Sequence, residues 1–291
     1  MLSRRSPLVL LPFFLWGTAM VVMKWVMPQT APLFVAVVRL LPAGLLVLLA
    51  GRVGKRPMPQ GWRAWAWIGL FALVDGALFQ GFLTEGLVRT DAGIGSLLID
   101  SQPLAVAVMA ALFYGERLSQ RGMVGLGLGV IGISLIGFPT DWQNLKQWGW
   151  FTPGEWLMLG ASLSMAVGTI LIRPVTTYAD PVMATGWHMV LGSIPLLGLS
   201  LWYEHPNLAE IDLSGWLGLA YVSILGSAIA YGVFFYFASS GNLTTLSALT
   251  FSTPVFAIIC GRIFLGEKLT PMQWVGVLLT LVSIYLVSRK D

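Results

Sequence analysis

Four ionisable residues lie inside apolar runs that are long enough to cross a membrane, where they could hold an ion or a charged solute. They are Lys24, Arg39, Asp75 and Asp100. An ionisable group in hydrocarbon is costly, so its default interpretation is functional, with a partner of opposite charge. Counting about 1.5 Å per residue from the helix ends places Asp75 near mid-depth and the other three in the outer half of the membrane. We expect gating or coupling roles for these four side chains.

Asp100 is expected to pair with Arg39 or Lys24, either as a gate that opens and closes or as a static ion pair. Snorkelling of the long basic side chains to the surface is a third interpretation. Asp75 has no evident basic neighbour at its depth, which makes it the better candidate for a proton carrier, because burial favours the protonated form of a carboxyl group. His188 is interpreted either as hydrogen-bonded structure or as a pH sensor.

A second set of polar residues surrounds two prolines that recur at a fixed offset. A shift of 151 positions superimposes Pro103 on Pro254 and Glu116 on Glu267. A proline inside a helix frees a carbonyl group, and free backbone groups are tolerated at membrane depth only where they face protein or a cavity. We therefore expect a central small-molecule site between two bent helices. The predicted substrate-binding residues are Trp16, Gln80, Ser101, Gln102, Pro103, Tyr231, Ser252 and Pro254.

The composition is that of a membrane protein. Hydrophobic residues make up 56% of the chain and charged residues 10%, whereas soluble domains carry about 25% charged residues. Ten segments have the length of a membrane-spanning helix, which is about 20 apolar residues, and we number them as spans one to ten. They cover residues 8–27, 32–50, 65–87, 92–115, 122–139, 155–173, 181–202, 214–237, 243–265 and 272–288. The sequence predicts an all-α integral membrane fold.

Basic residues between the spans indicate the orientation. With the N-terminus in the cytoplasm, eleven lysines and arginines fall on the inner side and three on the outer side, as expected for cytoplasmic loops. The three outer ones are Arg89, Lys146 and Lys268. The prediction is a multi-pass protein of the cell inner (plasma) membrane with both termini in the cytoplasm.

The two halves of the chain are predicted to be inverted repeats, residues 1–139 and 140–291. Each half contains five predicted spans, and five is an odd number, so the second half enters the membrane in the opposite orientation. Glu116 then lies at the cytoplasmic face and its counterpart Glu267 at the outer face. Two similar halves enclosing one site are a layout used by transporters.

Several residues resemble the drug/metabolite transporter superfamily, and in particular its EamA family. They are the Gly-Glu pairs that follow both prolines (115–116 and 266–267), the Leu15-Trp16-Gly17 opening with Lys24 after it, and Val38-Arg39-Leu40. The resemblance covers essentially the whole chain. It implies ten helices in two inverted repeats around a central cavity, and export of small metabolites, among which amino acids are prominent.

The expected function is secondary transport, most simply export of small metabolites such as amino acids by alternating access. The sequence contains no P-loop, no metal-ligand spacing and no nucleophile elbow, so we predict no enzyme activity, no catalytic or metal site and no cofactor. The expected partners are a small-molecule substrate and membrane lipid, without nucleic acid, and the expected state is a monomer or weak homodimer. The alternative is a non-transporting receptor or scaffold with a transporter fold.

Overall fold

The computed structural model of the chain describes residues 7–114, 120–136, 151–233 and 252–288, and these residues are almost entirely helical, with no strand among them. Each of the ten predicted spans contains helix within these ranges. The α-helices are α1 (Leu11–Val26), α2 (Pro32–Val53), α3 (Gly61–Phe71), α4 (Phe79–Val88), α5 (Ala92–Ile99), α6 (Gln102–Tyr114), α7 (Gln120–Ile136), α8 (Pro153–Tyr178), α9 (Pro181–Leu199), α10 (Leu213–Ser223), α11 (Ser252–Cys260) and α12 (Pro271–Ser288).

Six continuous helical stretches are long and apolar enough to cross a membrane. They correspond to the predicted first, second, third, sixth, seventh and eighth spans, and run over Leu11–Gln29, Pro32–Val53, Gly61–Val88, Pro153–Tyr178, Pro181–Glu204 and Leu213–Val233. The described parts of the ninth and tenth spans are shorter apolar helices. A helix satisfies its own backbone groups, which lipid cannot do.

Two of these spans contain π-helical segments at corresponding positions. Ala72–Leu78 joins α3 to α4 in the third span, and Ile224–Ile229 continues α10 in the eighth span. Their first residues differ by 152 positions, close to the offset of the repeated prolines. Segments of this kind occur mostly as local insertions in α-helices, frequently at functional sites.

The fourth span is broken in the middle, as the position of Pro103 predicts. Helix α5 ends at Ile99 and α6 begins at Gln102. A proline cannot donate to the carbonyl four residues earlier, which here is the carbonyl of Ile99. The hydroxyl of Ser162, on the sixth span, donates to this carbonyl at 3.2 Å. The freed group is therefore satisfied by the sixth span.

The fifth and tenth spans cross closely along a series of small residues. The hydroxyl of Ser283 donates to the carbonyl of Gly125 at 2.5 Å. About two turns further along the fifth span, a Cβ at Gly132 would lie 2.9 Å from the carbonyl oxygen of Gly276. As the residue number rises on one helix it falls on the other, so the two helices run antiparallel.

Contacts at helix ends indicate that two further pairs of spans run antiparallel. The carboxylate of Glu204, at the end of the seventh span, accepts from the N–H groups of Leu33 and Phe34 at 2.8 and 3.1 Å, where the second span begins. The carboxylate of Glu267 follows the ninth span and accepts from the N–H groups at 92 and 93, where the fourth span begins, at 2.5 and 3.1 Å. These N–H groups have no partner within their own helix, and an anion there also complements the helix dipole.

The largest apolar cluster closes one side of the bundle, the side at which the first span ends. Its buried side chains come from seven spans, namely the first, second, third, fourth, sixth, eighth and tenth, and those of Met23, Leu83, Leu87, Leu97 and Met158 are fully or almost fully buried. Burial of apolar surface contributes roughly 25 cal/mol per Å². The described residues on this side therefore pack seven spans together.

Candidate functional site

The second span carries a buried guanidinium group that bonds only to neutral acceptors among the described residues. Arg39 is 5% exposed. Its Nε donates to the hydroxyl of Ser227 at 3.1 Å, and its Nη1 donates to Oε1 of Gln80 at 3.0 Å. The sulfur of Met23 is a third, weaker acceptor at 3.8 Å. The contacts join the second span to the first, third and eighth, and leave the positive charge without a carboxylate partner in the described part of the chain.

Two aromatic rings lie beside this group. The rings of Trp16 and Tyr231 meet edge to face, with 5.2 Å between centroids and 62° between planes. Tyr231 interacts electrostatically with both Arg39 and Asp75. The structure therefore brings together five of the residues predicted for binding or coupling, namely Trp16, Arg39, Asp75, Gln80 and Tyr231, and we call this group the central cluster.

Asp75 lies in the π-helical segment of the third span and is paired with a histidine. Its Oδ2 is 3.2 Å from Nε2 of His188, on the seventh span, and the two side chains are 14% and 3% exposed. The ring of Phe71 packs on the imidazole with 4.3 Å between centroids. The sequence analysis found no cationic neighbour for Asp75 and did not pair it with His188, which the seventh span places beside it.

Asp100 does not join the basic residues in this structure. Its Oδ2 accepts from the hydroxyl of Ser96 at 3.1 Å, within its own helix. Lys24 instead donates to the carbonyls of Leu87 and Thr90, at the end of the third span. A cation at a helix C-terminus complements the helix dipole. The predicted pairing of Asp100 with Arg39 or Lys24 is absent here, because Asp100 bonds within its own turn, Lys24 bonds to a helix end and Arg39 bonds to neutral side chains of other spans.

The residues around the two prolines face other helices. The hydroxyl of Ser101 donates to the carbonyl of Leu98 at 2.5 Å, and the amide of Gln102 donates to Oγ1 of Thr169 at 2.5 Å. Pro103 lies in α6. In the ninth span Ser252 is half-buried and Pro254 is buried. No contact of Ser101 or Gln102 with the central cluster is found among the described residues.

The sequence analysis did not single out Ser227, which accepts from Arg39. The repeat offset could have identified it, because Ser227 lies 152 positions after Asp75, and His188 lies 149 positions after Arg39. The two contacts, Arg39 with Ser227 and His188 with Asp75, thus join corresponding positions of the two halves. In each contact a basic residue of the second or seventh span meets a π-helical segment of the eighth or third span.

An open pocket of about 540 Å³ lies at the closed side of the bundle, away from the central cluster. Its lining includes Lys24, Asp91, Glu267 and Lys268. Lys24 is eight residues from Trp16, or about 12 Å along the first span. The apolar cluster lies between this pocket and the central cluster.

Comparison with known proteins agrees with this architecture. Residues 6–138 and 152–289 each match the EamA-like transporter family. An uncharacterized transporter of Synechocystis sp. is 55% identical over 99% of this chain and 91% of that protein. A chloroplastic WAT1-related protein of Arabidopsis thaliana is 50% identical over 96% of this chain and 68% of that protein.

More distant matches extend the comparison. A probable amino-acid metabolite efflux pump of Salmonella typhimurium is 26% identical over 96% of this chain and 93% of that protein. A solved crystal structure superimposes with a TM-score of 0.69 over 96% of this chain and 94% of that one, at 16% identity. The family match spans almost the whole sequence, and the apolar helices have the lengths that such a protein requires. The chain is therefore a multi-pass membrane protein that belongs to the EamA-like transporter family.

Proposed function

We propose that the protein is a secondary transporter that exports small metabolites such as amino acids, and that the solute binds at the central cluster. The observation that carries this proposal is the position of Arg39, which is buried near the middle of the bundle and bonds both to Gln80 in the first half of the chain and to Ser227 in the second. A site shared by both halves is the arrangement that alternating access requires.

The charge of Arg39 supports a solute with a carboxylate group. A buried cation without a counter-charge is expensive. The acidic residues outside the described ranges are Glu116, Asp141 and Asp291, and all three lie beyond the predicted spans. The carboxylate of a bound amino acid would supply the missing negative charge, and the faces of Trp16 and Tyr231 would contact an apolar or aromatic side chain.

The inverted arrangement of the two halves is part of the proposal. Three pairs of corresponding spans run antiparallel, the second with the seventh, the fourth with the ninth and the fifth with the tenth. The neighbours of the first span, which are the eighth and ninth, also correspond to those of the sixth span, which are the third and fourth. Separate family matches to residues 6–138 and 152–289 support the same division of the chain.

The conformation is assigned as closed towards the outer side. The basic residues of the loops place the end of the first span outside, and the apolar cluster closes that side. The proposed location is the cell inner membrane with both termini in the cytoplasm. The alternative of a non-transporting receptor or scaffold explains the fold but gives no role to the buried charge of Arg39.

Counterflow of amino acids in proteoliposomes tests the proposal. Vesicles loaded with unlabelled amino acids should take up a labelled amino-acid mixture when they contain the purified protein. Arg39→Gln should reduce uptake by about 10- to 100-fold, since a hydrogen bond to a charged group is worth about 1.5–3 kcal/mol. Arg89→Gln is the matched control, because that guanidinium is exposed and pairs with Glu85 at 3.1 Å.

Equal uptake by empty vesicles and by vesicles with the protein would reject amino-acid transport. Uptake that survives in Arg39→Gln at the level of Arg89→Gln would reject the central cluster as the carboxylate site while leaving transport intact.

A further inference from the structure

The pair formed by Asp75 and His188 adjoins Arg39 through Tyr231 in the central cluster, but the carboxylate-binding role proposed above is that of Arg39. The pair lies in the third and seventh spans, well inside the bundle, and joins the first half of the chain to the second. Ionisable residues at this depth are costly and mark proton relays in many transporters. The pair is therefore the strongest candidate for a second function within the same bundle.

The hydrogen bonding of the imidazole ring distinguishes its two protonation states. Nε2 faces the carboxylate of Asp75, and Nδ1 is buried with no hydrogen-bond partner among the described residues. A neutral ring that donates through Nε2 leaves only a lone pair unsatisfied at Nδ1. A protonated ring would instead bury an unsatisfied N–H donor, which costs about 1–3 kcal/mol.

Close backbone packing holds the ring in this position. A Cβ at Gly76 would lie 2.9 Å from both the Cα of Gly192 and the carbonyl oxygen of His188. On the other side, a Cβ at Gly168 would lie 2.5 Å from Oδ1 of Asp75. With glycine at these three positions the third, sixth and seventh spans approach closely around the pair, so a partner for Nδ1 requires that the spans move apart.

The charged and titratable groups that face the pair come from two other spans. Tyr231 of the eighth span interacts electrostatically with Asp75, and Arg39 of the second span interacts with Tyr231. The sixth span presents Gly168, and the third span presents the ring of Phe71. The nearest fixed positive charge among the described residues is thus separated from the pair by Tyr231.

The corresponding contact in the other half does not depend on protonation. Arg39 stays charged and its partner Ser227 is neutral, and the two are 3.1 Å apart. The two corresponding contacts therefore differ in chemistry, because only the contact between His188 and Asp75 joins two titratable side chains.

We propose that the pair of Asp75 and His188 is a proton-binding site that couples export of the solute to entry of one proton. In the packed, outer-closed state the pair holds a carboxylate and a neutral imidazole. When the third and seventh spans separate, water reaches Nδ1, and the pair binds one proton from the outer side. Return to the packed state releases this proton to the cytoplasm. A proton shifts the equilibrium because its affinity differs between the two conformations.

This inference rests on the proposed transport function, and the experiment separates the two. The full-length protein in proteoliposomes is tested with a labelled amino-acid mixture in two ways, by counterflow at equal pH and by accumulation driven by a pH difference. Counterflow exchanges solute without net proton movement. His188→Gln should keep counterflow and reduce the pH-driven accumulation at least tenfold.

The matched control is His205→Asn. His205 is the other histidine of the chain, is exposed and has a φ of 47°, a conformation that asparagine tolerates. This variant should retain both activities. Accumulation that stays pH-driven in His188→Gln would overturn the proton site, and so would wild-type counterflow without any response to a pH difference.

A second measurement decides the case if no counterflow is found. In the His205→Asn variant labelled with ¹⁵N-histidine, His188 gives the only ring signal. We expect the ring signal of His188 to change with pH, and to change differently after Asp75→Asn. A ring that keeps one form throughout would overturn the inference.

Discussion

At the scale of single residues, the charges of the bundle are arranged by helix ends as much as by ion pairs. Lys24 binds the carbonyl end of the third span, while Glu204 and Glu267 bind the amide ends of the second and fourth spans. Each of these contacts places a charge against the helix dipole of opposite sign. Ionisable residues on the closed side of the bundle thus link the end of one helix to the next helix.

Glu267 gives a prediction about pH. Burial raises the pKa of its carboxyl group above the ordinary glutamate value, although the N–H groups of Ala92 and Gly93 and the charge of Lys24 oppose the rise. A raised pKa means that the folded state binds this proton more tightly than the unfolded state. Stability should therefore fall as the pH rises from the ordinary glutamate pKa through the raised value.

Glu267→Gln should remove this slope, as measured by the melting temperature in detergent across that range. Glu210→Gln is the matched control, because Glu210 is exposed on the same side and bonds only to Asn207 among the described residues. A slope that is unchanged in Glu267→Gln would contradict the assignment.

The residues of the central cluster could be named from the sequence, but their partners could not. Counting residues along the helices placed Arg39 in the outer half with a gating role and Gln80 among the substrate-binding residues, whereas the structure joins the two at 3.0 Å. Partnership depends on the rotation of each helix and on which spans are neighbours. For this reason the sequence paired Asp100 with basic residues at a similar depth, whereas the structure pairs Asp100 with Ser96 and Asp75 with His188.

At the scale of elements, glycine and serine determine how closely the fifth and tenth spans approach. A Cβ at Gly132 would lie 2.5 Å from Oγ1 of Thr280 and 2.8 Å from its backbone nitrogen. Small residues at such crossings allow backbone contact, which stabilises helix association in membranes.

Gly132→Ala should therefore destabilise the protein by about 1–3 kcal/mol, because the two backbones must separate to admit the methyl group. Gly127→Ala on the same helix is the matched control, since a Cβ at Gly127 meets nothing within 4 Å. The measurement is thermal unfolding of the two purified variants. A Gly132→Ala variant that melts with the control would show that the crossing is looser than described.

At the scale of the whole molecule, the contacts between the fifth and tenth spans have the pattern expected of two-fold symmetry. Gly125 meets Ser283, and Gly132 meets Gly276. Adding the offset of 151 to Gly125 and Gly132 gives Gly276 and Ser283. When two similar surfaces meet with two-fold symmetry, the contacts are reciprocal. Here Gly125 meets the counterpart of Gly132, and Gly132 meets the counterpart of Gly125.

This relation makes a definite prediction about topology. The segment after the fourth span, near Glu116, and the segment after the ninth span, near Glu267, occupy corresponding positions of the two halves. If the halves are inverted, these segments lie on opposite sides of the membrane. In a variant that lacks Cys260, Lys268→Cys should react with a membrane-impermeant maleimide added to intact cells, and Ser119→Cys should react only after the membrane is opened.

The labelling experiment tests the inversion of the two halves separately from the orientation of the protein in the membrane. Labelling of both positions from the same side would exclude an inverted repeat, however closely the two halves match in sequence, and would require a different explanation for the antiparallel contacts. Labelling of Ser119→Cys alone in intact cells would keep the inversion and reverse the protein in the membrane. In that case the closed side of the bundle would face the cytoplasm, and the proton bound by Asp75 and His188 would enter from that side.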